Sequence, residues 1–385
     1  MAYKCFMRIA ISAESFLPRV NGVSNSVLRI IRHLENNGHE AMIFAQGGGP
    51  SEVSNTPIFR TPAIAISSVA QVDLSRAPIR ILKRELTKFQ PDIVHLASPF
   101  LLGDQMGKAA KSLGIPTLAV YQTDVAGFAN FYGFAPVALL FENWLRKIHS
   151  RADLNLAPST HAKSYLNKLG IENVELWGRG VDTEQFNPSH RSDVMRKSWG
   201  ADSQSLVIGY VGRLAPEKRV ESLRLINQNQ INRKIKIVII GDGPSRPTLE
   251  ALLPEAHFAG HLSGKELGTA LASMDLLITP GENETFCQVI QEAMASAVPV
   301  VAPAIGGPRD LVRDGESGLL YSPGDAAGMV ESVNKILNEE QLRITLGRSS
   351  RAIVEAKTWP KVCDKLLGHY ETVLSNTSIN SESVA

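Results

Sequence analysis

The sequence predicts a two-lobed α/β protein in which each lobe is a doubly wound, mainly parallel sheet. Three observations predict it. Short apolar, β-branched runs alternate with helical patterns from one end of the chain to the other, as parallel strands joined by crossover helices require. The alternation pauses over residues 178–205, a stretch with glycines, a proline and several polar residues, and then restarts. The length of 385 residues accommodates two domains at roughly 150 residues each.

The first series opens with a strand, Arg8–Ala13, followed by a helix over 23–36 whose Val27, Ile30, Ile31 and Leu34 share one face. Runs at 41–45, 93–97, 117–121 and 154–158 are the further strands, with helices over 76–89, 103–113, 136–151 and 159–169. The second series has strands at Leu206–Val211, Ile235–Ile240, 276–279 and 298–302, dominated by apolar residues as strands covered on both faces are. Helices are expected from Val220 and over 245–253, 264–273, 286–297 and 325–337. The lobe boundary falls near 185–203. Beyond residue 337 only helix is expected. It is interrupted at Thr358-Trp359-Pro360, because proline disfavours a helical residue before it. Fraying is expected from Ser375, where Ser and Asn accumulate.

Composition excludes several classes. Apolar residues make up 44% of the chain, enough to offset ordering entropy and rule out a disordered chain. Cys5, Cys287 and Cys363 are too few and too widely spaced for a disulfide framework or a zinc finger, and read as reduced thiols of a cytoplasmic protein. No run of about 18 apolar residues is present to span a membrane. Residues 1–11 lack the apolar core and cleavage site of a signal peptide. Residues 1–185 hold 19 Lys and Arg against 15 Asp and Glu, and residues 186–385 hold 21 against 23. Neither balance has the basic excess that nucleic-acid binding calls for, so no nucleic-acid partner is expected. The excess of the first lobe centres on 76–88, where Arg76, Arg80, Lys83, Arg84 and Lys88 surround a face of Ile79, Leu82, Leu86 and Phe89. Such a helix either meets an anionic lipid surface or packs its apolar face on the sheet as an ordinary surface helix.

Ligands of doubly wound sheets bind off the carboxyl ends of the strands, and polar clusters sit at those positions. Pro18-Arg-Val-Asn-Gly22-Val-Ser-Asn25 follows the first strand and opens a helix. Gly22 permits close backbone approach, and the helix start offers N–H groups to an anion; equally, Asn21 or Ser24 caps the helix. The spacing is not GxGxxG, which argues against a dinucleotide. Tyr121-Gln122-Thr-Asp124 ends another strand. There Gln122 can donate to a substrate oxygen, and Asp124 can orient a hydroxyl, act as a base or cap a helix. In the second lobe, Arg213 follows a glycine at a strand end and Lys218 comes five residues later. A guanidinium fork and a mobile ammonium together suit an anionic ligand.

Glu284 and Glu292 flank a helix whose core stripe is Phe286, Val289, Ile290, Ala293, Met294 and Ala297. They stand about 12 Å apart by helical rise. That span suits an extended ligand with polar groups at both ends, or it separates a Glu favoured by the helix dipole from a solvated one. Glycine turns at 241–244 and 304–308 fall at the same sheet end. No Walker loop, zinc-protease motif or GxSxG elbow occurs. No strand ends in the aspartate pair of a Mg²⁺–diphosphate clamp, so no metal is expected. His95, inside a strand, reads as a core residue, and His149 carries no functional case.

In order along the chain stand RIAISAESFLPRVNGVSNSV (8–27), YQTDVAGFANFYGF (121–134), ADLNLAPS (152–159), GRGVDTEQFNP (178–188), VGRLAPEK (211–218), GDGP (241–244) and ENETFCQVIQEAMASAVPVVAPAIGGPRDLV (282–312). Jointly they resemble the retaining glycosyltransferases of family 4, which have the GT-B fold, over nearly the whole chain. Within that family the sequence is similar to the GDP-mannose-dependent α-mannosyltransferases that build actinobacterial lipoglycans.

The resemblance implies a hexosyltransferase that moves mannose from GDP-mannose to a hydroxyl of a glycolipid or lipoglycan precursor. Configuration would be retained and no metal or other cofactor used. The expected location is the cytoplasm, with peripheral contact at the inner face of the plasma membrane as one reading. It implies that Arg213 and Lys218 bind the diphosphate and that Gly22 closes on it across a cleft. Glu284 would contact the donor sugar beside the backbone N–H groups of Phe286 and Cys287. Glu292 would hold the ribose, and residues 259–262, ending at Leu262, would meet the base through backbone. Many members carry a histidine where this chain has Gln122. Glutamine cannot act as a base, so it takes a positioning role and Asp124 becomes the residue nearest the reacting centre. The implied division is an acceptor-side domain over 1–185 and a nucleotide-sugar domain over 186–360. A helix over 361–385 would pack back on the first lobe with a flexible tail. Rival readings are a UDP-sugar-dependent glycolipid glycosyltransferase of the same fold, a nucleotide-sugar epimerase and a nonenzymatic sugar-nucleotide sensor.

Overall fold

The computed structural model describes residues 6–19, 21–65, 73–75, 77–97, 99–122 and 135–382. Its contacts divide into two units, one of Met1–Gly178 with Val362–Ala385, the other of Arg179–Lys361.

The strands of the first unit are β1 (Arg8–Ala13), β2 (Glu40–Gln46), β3 (Glu52–Val53), β4 (Thr56–Thr61), β5 (Ala63–Ala65), β6 (Asp73–Ser75), β7 (Ile93–Leu96), β8 (Thr117–Val120), β9 (Leu154–Ala157) and β10 (Val174–Leu176). Eight of them form one sheet in the order β10-β9-β8-β7-β1-β2-β4-β3, parallel except for the antiparallel β3–β4 pair. β5 and β6 make a separate antiparallel ribbon. The winding reverses between β1 and β7, which makes their carboxyl ends the switch point where such sheets accept ligands.

One face of this sheet buries Ala10, Phe44, Val94, Leu96 and Ala119 against Leu102, Met106, Ala109 and Ala110 of the helix Leu101–Ser112. The helix Ile79–Phe89 adds Leu82 and Leu86 to the same cluster, both fully buried. Leu82 and Leu86 are therefore spent on the core, while Ile79 on the same face stays exposed and Phe89 half-buried. Arg80, Arg84 and Lys88 stay exposed, and the last two pair with Glu85.

The closing helix, Trp359–Glu382, places Tyr370 and Asp364 in this unit. The Tyr370 hydroxyl meets His95 Nδ1 at 2.6 Å, and Asp364 meets His33 at 3.0 Å. Trp177 Nε1 donates to the Val362 carbonyl at 2.9 Å. The helix continues past Ser375 to Glu382. Thr372, Ser375 and Thr377 each donate to the carbonyl four residues back, which satisfies their hydroxyls inside the helix.

The second unit carries β11 (Leu206–Val211), β12 (Ile235–Ile240), β13 (His257–Gly260), β14 (Leu276–Ile278), β15 (Val300–Pro303) and β16 (Gly318–Tyr321). They form one parallel sheet in the order β13-β12-β11-β14-β15-β16, with its switch point between β11 and β14. Alternation along β11 and β12 feeds both faces. Val207, Val238 and Ile240 meet Ile290, Ala293 and Met294 of the helix Gln288–Ala295. Leu206, Ile208, Tyr210 and Ile239 meet Met329, Val333 and Ile336 of the helix Ala326–Asn338.

Several elements depart from expectation for local reasons. From Val220 the chain forms a 3₁₀ turn, Val220–Leu225, entered through Arg219 in the left-handed region (φ 52°), rather than an α-helix. The helix expected over 286–297 is only Gln288–Ala295, because Cys287 is left-handed (φ 70°) and cannot belong to it. The strand expected from 298 starts at Val300, since the Val298 N–H still bonds the Ala293 carbonyl at 2.9 Å. Residues 179–185 cluster with the second unit, not the first: Val181 bridges to Thr358, and Gln288 donates to the Gly180 carbonyl at 3.0 Å. Among the described residues no helix is long and apolar enough to cross a membrane.

Candidate active site

The turns that follow β11, β12 and β14 meet at one edge of the six-stranded sheet. The first two touch backbone to backbone. Gly241 sits at φ 131°, and a Cβ there would lie 1.9 Å from the Gly212 carbonyl oxygen, so only glycine fits.

Three cation–carboxylate pairs occupy this edge. Arg213 Nη2 donates to Glu217, whose carboxylate is wholly buried while the arginine is half exposed. Lys218, at the end of the 3₁₀ turn Pro216–Lys218, donates from Nζ to Glu284 Oε1 at 2.6 Å, with both side chains 17% exposed. Arg219 pairs with Glu282, which also accepts the Gly324 N–H at 2.8 Å. The turn after β11 is thus bonded to the turn after β14 through ions that stay partly wet and able to exchange partners.

Glu284 is held from behind. Its carbonyl accepts the Gly307 N–H at 2.8 Å, and a Cβ on Gly307 would fall 2.2–2.4 Å from the Phe286 backbone. The paired glycines at 306–307 therefore let one loop lie flat on the other. Phe286 anchors the segment in the core. The helix Gln288–Ala295 has no side-chain cap, and the N–H groups of Phe286 and Cys287 find no acceptor among the described residues. Uncapped N–H groups beside two cations make an anion-binding edge. Burial pushes the Cys287 thiol up, with Glu284 adding to the effect, so it stays protonated.

Glu292 lies deeper. Burial raises its carboxyl to about 7, and Arg179 is the charge that holds it down. Arg179 is itself lowered to about 10 by burial, against Glu292 and Glu284, which hold it up. Sequence reasoning missed Arg179; its only signal is an arginine set between two glycines at the first residue of the second unit. Leu262 follows β13 and packs half-buried on the cluster that contains Phe286. The Gly241 N–H donates to the Gly260 carbonyl at 2.7 Å, which fixes that segment beside the turn after β12.

In the first unit the candidate residues are more committed. Asn21 Oδ1 accepts the N–H groups of Val23 and Ser24 at 2.9 and 3.0 Å, and Ser24 Oγ accepts the Asn21 N–H, a capping box. Gly22 begins that helix and its N–H is not among those taken. Gln122 Nε2 donates to the Ala97 carbonyl at 2.6 Å, so part of its amide is engaged by the protein. Asp124 lies outside the described residues.

At the switch point, Glu14 Oε1 accepts the N–H groups of Phe100 and Gly103 at 3.1 and 2.8 Å, and its Oε2 is buried without a partner. Burial raises this carboxyl to about 7. His95 is a buried core residue lowered to about 3 by burial, and His149, against Asn155 at 2.7 Å, is lowered to about 4. Among the described residues no group of three or more His, Cys, Asp or Glu is placed to hold a metal. Cys287 and Cys363 are buried free thiols; Cys5 lies outside the described residues.

Residues 20–185 match the model of Glycosyltransferase Family 4, and residues 192–352 that of Glycosyl transferases group 1. The chain is 46% identical to a GDP-mannose-dependent alpha-mannosyltransferase of Mycolicibacterium smegmatis, over 97% of this chain and 100% of that one. It is 45% identical to a protein of the same name from Mycobacterium tuberculosis, over 96% and 97%. A sulfoquinovosyl transferase of Arabidopsis thaliana is 33% identical over 93% of this chain and 72% of that one. Among solved structures, Anabaena HepE in complex with UDP superposes with a TM-score of 0.79 at 18% identity, covering 95% of this chain and all of that one. Sucrose-phosphate synthase from Thermosynechococcus elongatus gives 0.78 at 19% identity, covering 96% and 100%. Two parallel-sheet units, these likenesses and the paired family models agree: the chain is a glycosyltransferase of family 4 with the GT-B fold.

Proposed function

We propose that this glycosyltransferase moves mannose from GDP-mannose to a hydroxyl of a glycolipid or lipoglycan precursor, with retention and without a metal. The observation that carries the reading is the joint placement of Arg213, Lys218 and the uncapped N–H groups of Phe286 and Cys287 at one sheet edge. A departing nucleoside diphosphate gains negative charge at its leaving oxygen. Two cations and a helix start supply the stabilisation that a metal gives elsewhere. Glu284, next to them, would accept from hydroxyls of the donor sugar once Lys218 turns to phosphate. Glu292 would accept from the ribose, and backbone at 259–262 would meet the base beside Leu262. The leaving phosphate oxygen would take the acceptor proton on the same face of the sugar, so no protein nucleophile is needed.

The second unit is thus assigned the donor. The first is assigned the acceptor, with Gln122 and Asp124 positioning its hydroxyl and the Gly22 N–H offered to an anionic substrate group. Contact with anionic lipid, if the acceptor requires it, would be electrostatic through Arg80, Arg84 and Lys88, because Leu82 and Leu86 belong to the core. The test is transfer from GDP-mannose, UDP-glucose and UDP-sulfoquinovose to a panel of diacylglycerol glycolipids, with the new linkage read by NMR. An α-mannoside from GDP-mannose alone supports the reading. Product from a UDP-sugar moves the assignment to that donor, and isomerised sugar nucleotide without acceptor moves it to an epimerase.

A further inference from the structure

We infer that Arg179 is a positioning residue of the donor site, the counter-charge that aims the Glu292 carboxylate at the ribose hydroxyls of the nucleotide; this rests on the proposal that Glu292 meets the ribose. Three contacts fix the backbone that carries it. Gln288 Nε2 donates to the Gly180 carbonyl at 3.0 Å. The Val181 N–H donates to the Lys357 carbonyl at 3.0 Å. Gly180 lies so close to Trp359 that a Cβ would sit 2.4 Å from its Cα, which leaves this segment one path. Gln288 and Glu292 are one turn apart on the same face of the helix Gln288–Ala295, so the anchor that holds Gly180 brings its neighbour Arg179 alongside Glu292.

The chemistry follows from that placement. A half-buried carboxylate that accepts no hydrogen bond among the described residues tends to take up a proton, and a protonated carboxyl is a poor acceptor for two ribose hydroxyls. An arginine stays charged across the working range and holds it in the accepting form. Glu284 also acts on Arg179, and Glu284 is in turn bonded to Lys218 and acts on Tyr210 of β11 and on Cys287. Burial keeps the phenol and the thiol protonated, and Lys218 is taken by Glu284, so Arg179 is the cation that answers to Glu292.

The test compares GDP with 2′-deoxy-GDP by calorimetry between pH 6.5 and 8.5, in the wild type, Arg179→Met, Arg179→Lys and Glu292→Gln. Taking the ratio of the two affinities cancels titration of the diphosphate. The wild type should favour GDP by about tenfold, the worth of one hydrogen bond to a charged acceptor, with the preference weakening below pH 7. Glu292→Gln should lose most of it at every pH. Arg179→Met should lose it at pH 7 and recover part of it toward pH 8.5, where the unassisted carboxylate ionises, while Arg179→Lys keeps it. If Arg179→Met folds poorly, Arg179→Gln, of similar length and uncharged, carries the same expectation. Equal weakening of both nucleotides by loss of Arg179, with the wild-type ratio and pH midpoint kept, overturns the inference while leaving the ribose reading intact. An unchanged ratio in Glu292→Gln overturns the ribose reading and the inference with it.

Discussion

The carboxyl ends of the two sheets are furnished in opposite ways. At the edge of the six-stranded sheet stand formal charges in partly exposed pairs, Arg213 with Glu217 and Lys218 with Glu284, beside N–H groups that find no acceptor among the described residues. At the edge of the eight-stranded sheet the described polar groups turn mainly to the protein's own backbone: Glu14 Oε1 to Phe100 and Gly103, Gln122 Nε2 to Ala97, Asn21 Oδ1 to its helix. A site for a multiply charged leaving group has to keep ions that can trade one partner for another at little cost. An edge whose described polar groups turn largely inward offers backbone groups instead, in keeping with the acceptor proposed for it.

The largest expected effect breaks the charged edge. Arg213→Ala should lower turnover by about 10²–10³, the usual cost of removing one group that stabilises developing charge. Arg213→Lys, which keeps the charge on Glu217 but loses the fork, should fall between that variant and the wild type. Steady-state kinetics beside a thermal melt separates lost catalysis from lost folding, since Glu217 is left buried without this partner.

The next effect lies at the other edge and concerns pH. Glu14 titrates near 7 in the folded protein against an ordinary 4.5. Between those values the folded form holds the proton that the unfolded chain has released, so stability falls as pH rises and the loss is complete above about 7. Glu14→Gln removes that slope. Comparing melts at pH 5 and pH 8, the variant should be relatively more stable at pH 8 by up to about 3 kcal/mol. An identical slope in both proteins would place the titration elsewhere, Glu292 being the other carboxyl raised to about 7.

The smallest effect should leave the charged edge untouched. Tyr370→Phe strands the buried Nδ1 of His95 and should cost about 1–3 kcal/mol of stability. Affinity for GDP should not change, because every partner of Tyr370 lies in the first unit. A variant that melts normally but loses GDP would contradict the division of roles.

The long apolar strands were legible: β1, β11 and β12 fall where their runs of Ile, Leu and Val put them. β10, β13 and β16 were not, since three or four residues, partly exposed at sheet edges, leave too little pattern to read. Arg213, Lys218 and Glu284 could be placed because each follows a strand or opens a helix, and strand ends can be read locally. The partners they hold could not. Glu217 looks like any surface acid in Pro-Glu-Lys until folding buries it under Arg213. Arg179 acts as a counter-charge on a carboxylate more than a hundred positions along the chain. The basic helix after residue 78 was legible as amphipathic, but only packing could show that Leu82 and Leu86 face protein.

The most direct test of the donor assignment is calorimetric titration of the protein with GDP and with UDP, repeated on Arg213→Ala. The account predicts saturable binding of GDP, at least tenfold weaker binding of UDP, and loss of both in the variant. UDP binding as tight as GDP, or GDP binding undiminished without Arg213, would contradict it.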